Sequence, residues 1–256
     1  MTRLNDFCRR TAMVITGVLL VAAPGLVTAA GGGTAVQHAN IDIGNQASLQ
    51  RGAGYFVNYC LGCHSAQYVR YNRLGEDLGL TEEQVIDNLM FTGERPHDTM
   101  DNAMPQTDAA SWFGQAPPDL SLVARSRGTD WIYSFLKSFY ADPGKPTGVN
   151  NLVLQGASMP HVLWEQQGLQ RAVFVDHVDE AGNSHQVFEG FEMETPGQLS
   201  PEEYDVMVRD ITAFLSYVGE PIQMERRSLG IKIILFLIVF LLFAILLKKE
   251  IWKQVH

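Results

Sequence analysis

Apolar residues concentrate at the two ends of the chain and follow a helical or alternating period between them. An apolar run over residues 12–23 follows a basic start. A second run, 229–247, is 19 residues long with Lys232 as its single charge. At 1.5 Å per residue that second run spans about 28 Å, the thickness a membrane helix must cross. Between them, residues 48–59 form an amphipathic helical pattern. Thr81-Glu82-Glu83-Gln84 is a capping box for a helix running to about residue 91. Residues 92–128 and 141–160 are rich in turn formers and are predicted as loops, flanking an aromatic-rich helix over 130–140. Residues 173–178 and 185–191 alternate around Asp179-Glu180-Ala181-Gly182-Asn183, which predicts a hairpin. Ser200-Pro201-Glu202-Glu203 is a second capping box, with proline at the first helical position. The helix it opens runs to about residue 217 and carries Tyr204, Met207, Val208, Ile211, Phe214, Leu215 and Val218 on one face. The fold class that results is mainly α, with long loops, one small β-hairpin and a C-terminal transmembrane helix.

The two terminal runs divide the chain. Residues 1–30 combine a basic start, a short apolar middle broken by Pro24 and Gly25, and a small-residue end at Ala29-Ala30. That is the layout of a secretory signal peptide. Residues 31–224 are then exported as one domain, and 225–247 anchor it in a bacterial inner membrane. A cytoplasmic tail, 248–256, follows. Lys232 lies in the first turn of the span and can reach the head groups. The exported domain is placed in the periplasm by the signal peptide, because basic residues balance on both sides of the anchor.

Charge narrows the partners. Residues 31–224 hold 25 Asp plus Glu against 10 Lys plus Arg, a net of −15. Such a surface repels nucleic acid and anionic lipid, and it suits long-range steering of a basic protein partner.

The chemistry lies at Cys60-Leu61-Gly62-Cys63-His64. Positions three apart share a helical face, so both thiols can reach the two vinyl groups of one haem. His64 is then placed as an axial iron ligand, which is the attachment signature of a c-type haem. A redox Cys-x-x-Cys pair would not require the histidine. A zinc site would require more Cys or His at matching spacing, and residues 31–256 hold no second cysteine pair. A six-coordinate electron carrier needs one more ligand. Met90, Met193 and Met207 fall in regular stretches and are expected to pack. Met104-Pro105 and Met159-Pro160 lie in loops that a following proline stiffens, so both remain candidates, with His161 and His97 behind them.

These residues carry a resemblance. Cys60-x-x-Cys63-His64 with Tyr71-x-Arg73-Leu74, the run Pro117-Pro118-Asp119-Leu120-Ser121, Arg125, the Met159 loop, the 203–217 helix and the tail anchor together resemble the cytochrome c1 family. The likeness runs from about residue 52 to the C-terminus and is loose over 165–198. It implies one covalently attached haem c, with His64 and Met159 on the iron and Arg125 paired with a haem propionate. It also implies a subunit of the quinol–cytochrome c reductase (bc1) complex, an electron carrier when taken alone. The implied partners are cytochrome b, a Rieske iron–sulfur protein that donates the electron, and a cytochrome c that accepts it. The alternatives are an anchored c-type subunit of a terminal oxidase or dehydrogenase, and a haem sensor with an open sixth position.

Overall fold

The computed structural model describes residues 36–178 and 184–254. The expected signal peptide, 1–30, lies outside them. The elements in chain order are α1 (Gln46–Tyr59), β1 (Ala66–Arg70), α2 (Tyr71–Leu78), α3 (Glu82–Asn88), β2 (Thr99–Met100), α4 (Gln106–Phe113), α5 (Val123–Ser126), α6 (Thr129–Lys137), β3 (Phe139–Ala141), β4 (Val149–Asn151), α7 (Trp164–Gln167), β5 (Gly168–Val178), β6 (Ser184–Pro196), α8 (Pro201–Gly219) and α9 (Gln223–Ile251). Among the described residues the strands pair as three antiparallel ribbons, β1–β2, β3–β4 and β5–β6.

The core is built on α1 crossing α8. Ala53, Phe56 and Val57 from α1 meet Val208, Ile211 and Phe214 from α8, and the Phe56 and Phe214 rings lie 5.4 Å apart. The seven residues expected on the apolar face of α8 are all buried. The crossing is close because Gly52 lies against the Asp210 backbone, where a Cβ would come within 2.2 Å of the carbonyl oxygen. Asp210 itself is 3 % exposed; its carboxylate accepts from Ser48 Oγ at 2.5 Å and from Arg51 at 2.6 and 3.0 Å. A buried carboxylate is tolerable only when its lone pairs are met in this way. Tyr204 Oη donates to the Leu136 carbonyl at 2.8 Å and ties α8 to α6.

Both capping boxes form. Thr81 and Gln84 cap each other reciprocally at α3, and Ser200 and Glu203 do so at α8 with Pro201 at the first turn. The stretches expected to be loop are more ordered. Within 92–128 lie β2, α4 and α5, and within 141–160 lies β4. Helix α4 shows no apolar stripe because Ala109 is its one buried residue; Pro105 starts it and Gly114, at φ 79°, ends it. The helix expected over 130–140 stops at Lys137, and Phe139–Ala141 turns out as a strand against Val149–Asn151. Asn151 enforces the stop: its Nδ2 donates to the Phe135 carbonyl at 2.8 Å, and its Oδ1 accepts from Ser138 at 3.0 Å. The hairpin β5–β6 is longer than expected, and Met193 lies half exposed on it and not packed inside.

Helix α9 is 29 residues long and none of them is buried. It contains the 229–247 run and is long and apolar enough to cross a membrane.

Candidate functional site

Helix α1 delivers the cysteine motif. Cys60 is its C-cap, and its N–H still donates to the Phe56 carbonyl at 2.9 Å. The turn then tightens, with Cys63 and His64 both donating to the Cys60 carbonyl, at 3.0 and 2.8 Å. Cys60 is buried, Cys63 is half-buried, and both are free thiols. Burial, with the neighbouring Cys63 adding to it, pushes the Cys60 thiol up to about 12. Burial also raises Cys63. Burial therefore disfavours the thiolate at both positions, unlike a redox dithiol of lowered pKa. Among the described residues no group of three His, Cys, Asp or Glu is placed to hold a metal ion.

The run 117–121 is a strap laid along residues 64–68. His64 Nδ1 donates to the Pro118 carbonyl at 2.7 Å. Leu120 N–H donates to the Ser65 carbonyl at 2.8 Å, and Gln67 N–H donates to Asp119 Oδ2 at 2.9 Å. Ser121 Oγ accepts from Tyr68 N–H at 3.2 Å. A carbonyl can only accept, so the Nδ1–H tautomer is imposed and Nε2 keeps its lone pair free. Burial lowers the His64 pKa, offset partly by the Pro118 carbonyl and Asp119, and so favours the neutral, ligating form.

His64 opens onto a cleft of about 320 Å³. Cys60, Cys63 and Met159 also line it, with apolar side chains that include Trp131, Phe135 and Leu215. Two neutral thiols, an imidazole with a fixed free nitrogen and a thioether fit a covalently held haem: two points of attachment, a nitrogen and a sulfur donor for the iron, and a mostly apolar wall.

The other candidates lie elsewhere. Met104 lines a smaller recess with Asp101 and Asn102, which also touches Cys63 but not His64. His97 is exposed, and its backbone carbonyl accepts from Arg70. His161 is buried with its ring stacked on Phe139, centroids 5.0 Å apart and planes 4° from parallel. It is absent from the cleft wall, its Nε2 has no partner, and burial pushes its pKa down to about 4.

Arg125 is also not brought to the cleft. Its guanidinium is 3.3 Å from Glu220, and its side chain is 58 % exposed. The cation in the cleft wall is Arg127, which lies over the Trp131 ring at 5.2 Å. The physical reason is helical phase. Two residues rotate a short helix by about 200°, so Arg125 and Arg127 leave α5 on opposite sides. The sequence reading overlooked Arg127, and no helical spacing pointed to its contact with Trp131, because Gly128, at φ 89°, separates the two helices.

Residues 39–171 and 188–255 match the model of the Cytochrome C1 family. The chain belongs to the cytochrome c1 family. It is 50 % identical over 243 residues to the cytochrome c1 of Allochromatium vinosum, covering 95 % of this chain and 99 % of that one. It is 28 % identical over 234 residues to the mitochondrial cytochrome c1 haem protein of Saccharomyces cerevisiae, covering 82 % and 68 %. A protein named ammonia monooxygenase gamma subunit, from Nitrosomonas europaea, is 40 % identical over 248 residues, covering 97 % and 100 %. Cytochrome c1 family members carry one covalently bound haem c, and Cys60 and Cys63 occupy the Cys-x-x-Cys-His position here.

Proposed function

We propose that this cytochrome c1 family chain is the electron-transfer subunit of a quinol–cytochrome c reductase (bc1) complex. In this reading it takes an electron from a Rieske iron–sulfur protein and passes it to cytochrome c. The observation that carries the reading is the shared cleft: Cys60, Cys63, His64 and Met159 converge on one apolar pocket. Cys60 and Cys63 would hold the haem through their sulfurs, and His64 and Met159 would offer its iron a nitrogen and a sulfur donor. The propionate role expected of Arg125 passes to Arg127, which stands in the cleft wall. When bound, the haem supplies a reversible one-electron couple.

The protein's own residues set the conditions for that couple. The Pro118 carbonyl holds the His64 ring in one tautomer and one orientation, which raises its basicity as a ligand. Trp131, Phe135 and Leu215 give the cleft an apolar wall, which lowers the local dielectric. The thioether of Met159 favours a higher potential than a second imidazole would. No general acid, base or nucleophile is needed, so the chain alone is an electron carrier and quinol chemistry belongs to a cytochrome b partner.

Residues 31–224 stand in the periplasm in this reading, α9 is the single-pass anchor in a bacterial inner membrane, and 248–256 lie in the cytoplasm. The net charge of −15 over the exported domain suits a basic acceptor approached by electrostatic steering. The likeness to the N. europaea protein favours a second reading, in which the same anchored carrier serves a different oxidising complex.

The two readings differ in the company the chain keeps. The test is a reduced-minus-oxidised spectrum of the tagged chain, crosslinked in native membranes and then purified in mild detergent. Co-purifying b-type haem with an iron–sulfur subunit supports the reductase. A c-type band without b-type haem overturns that assignment.

A further inference from the structure

Residues 172–178 and 184–187 fall between the two stretches that match the family model, and they pair in the outer portion of hairpin β5–β6. The strand pleat gives that portion a pair of unlike faces. On one face Phe174 and Phe188 oppose each other, and Phe174 meets Tyr140 edge-on at 6.3 Å, which fastens the hairpin to the body of the domain. The other face presents the pair Val175 and Val187, followed outward by the pair His177 and His185. Both histidines are exposed and directly opposed across the strands. Their ring centroids are 5.2 Å apart with planes tilted by 56°.

The separation has a chemical meaning. An imidazole nitrogen sits about 2.0–2.1 Å from a bound zinc ion, which puts each ring centre roughly 3.2 Å from the metal. At a tetrahedral angle two such rings have centres about 5.2 Å apart. The tilt also distinguishes this pair from a face-to-face stack such as Phe139 on His161, whose planes are 4° apart. Among the described residues of the hairpin, Arg171 is the one guanidinium or ammonium group, and it is paired with Glu192 and Glu194. Nothing cationic there competes with a divalent ion.

We propose that His177 and His185 form a surface site for a borderline divalent transition-metal ion, zinc(II) or copper(II). Imidazole nitrogen is the ligand type these ions take, and the strand register sets the two side chains opposite each other. Two protein nitrogens leave further coordination positions to water or to a ligand carried by an incoming molecule. The site does not depend on the haem reading: it lies outside the family-matched stretches and uses none of the cleft residues.

The test uses the full-length haem-loaded protein in detergent, purified without a polyhistidine tag. Zinc chloride is titrated by calorimetry, and copper(II) is followed by electron paramagnetic resonance. The expected result is one zinc per chain and a copper signal with two nitrogen donors. Affinity falls roughly tenfold or more in His177→Asn and in His185→Asn, and is unchanged in His38→Asn, whose imidazole pairs with Asp130. The haem spectrum checks that each variant is intact. In the unaltered protein, zinc also shields both rings from diethylpyrocarbonate. Zinc binding that survives both substitutions, no binding up to about 1 mM zinc, or unshielded rings would each overturn the site. The pair would then be cross-strand packing alone.

Discussion

His64 Nδ1 lies 2.7 Å from the Pro118 carbonyl oxygen, a bond between residues 54 positions apart in the chain. A backbone acceptor cannot be lost by side-chain substitution, so the bond is only as firm as the strap that positions it. Asp119 is one of the residues that fix that strap: one carboxylate oxygen accepts from Gln67 N–H at 2.9 Å and the other from Ser121 N–H at 2.8 Å. Asp119→Ala removes both and is expected to destabilise the haem-loaded domain by about 1–2 kcal/mol. Asp119→Asn, which keeps one acceptor, is expected to recover some of that. Guanidinium unfolding followed by the haem absorbance measures both. Equal loss in the two variants would mean that the carboxylate does not hold the strap through these bonds.

The two Met-Pro loops separate cleanly in space. Met159 is in the wall of the large cleft with His64, whereas Met104 lines the smaller recess beside Asp101 and Asn102. Met159→Leu is expected to lower the midpoint potential by on the order of 0.1 V or more, within the roughly 0.8 V range that axial ligation spans. The reduced variant is also expected to bind carbon monoxide. Met104→Leu is expected to do neither. Potentiometry and a carbon monoxide difference spectrum decide the matter, and a larger effect at Met104 would reverse the ligand assignment.

A parallel contrast divides the arginines. Arg127 adds a positive charge to the cleft wall and a cation–π contact to Trp131. A cation there favours the reduced, less positive state, so Arg127→Gln is expected to lower the potential. It also forfeits about 0.5–1 kcal/mol of cation–π attraction. Arg125→Gln breaks only an exposed ion pair with Glu220, which Arg226 also holds, and is expected to leave the potential unchanged. Redox titration of the two variants side by side checks this. A shift at Arg125 and none at Arg127 would restore the assignment that the resemblance implied.

What the sequence made legible was local, and what it hid was tertiary. Thr81 with Gln84 and Ser200 with Glu203 are pairs three residues apart, and both form as capping boxes. The α8 face was readable because the 3.6-residue period survives wherever one stripe is buried. Helix α2 was readable in principle, with Tyr71, Leu74, Gly75 and Leu78 buried at helical spacing, but its proximity to the cysteine motif obscured it. Helix α4 carried no such signal, since it buries only Ala109. At the site, the attachment residues were legible because their chemistry is sequential. The choice between Arg125 and Arg127 was not, because it depends on the phase of a helix of four residues.

The last prediction concerns two glycines of one helix. Ala is a better helix former than Gly by about 0.8–1.0 kcal/mol, so propensity alone favours replacing both Gly52 and Gly54. Packing decides differently for each. A Cβ at Gly54 meets nothing within 4 Å, and Gly54→Ala is expected to stabilise by about 0.5–1 kcal/mol. A Cβ at Gly52 would stand 2.2 Å from the Asp210 carbonyl oxygen and 2.8 Å from Phe214 Cβ. Backbone atoms cannot swing aside as a flexible side chain can, so α1 must move off α8. That displacement strains the Ser48 and Arg51 hydrogen bonds to a carboxylate that is almost fully buried. Overpacking of this kind costs about 1–3 kcal/mol, which exceeds the propensity gain, so Gly52→Ala is expected to destabilise. The opposite signs, read from thermal unfolding of the two single variants, test whether the α1–α8 crossing is set by backbone contact at Gly52. Stabilisation by both would place the contact elsewhere.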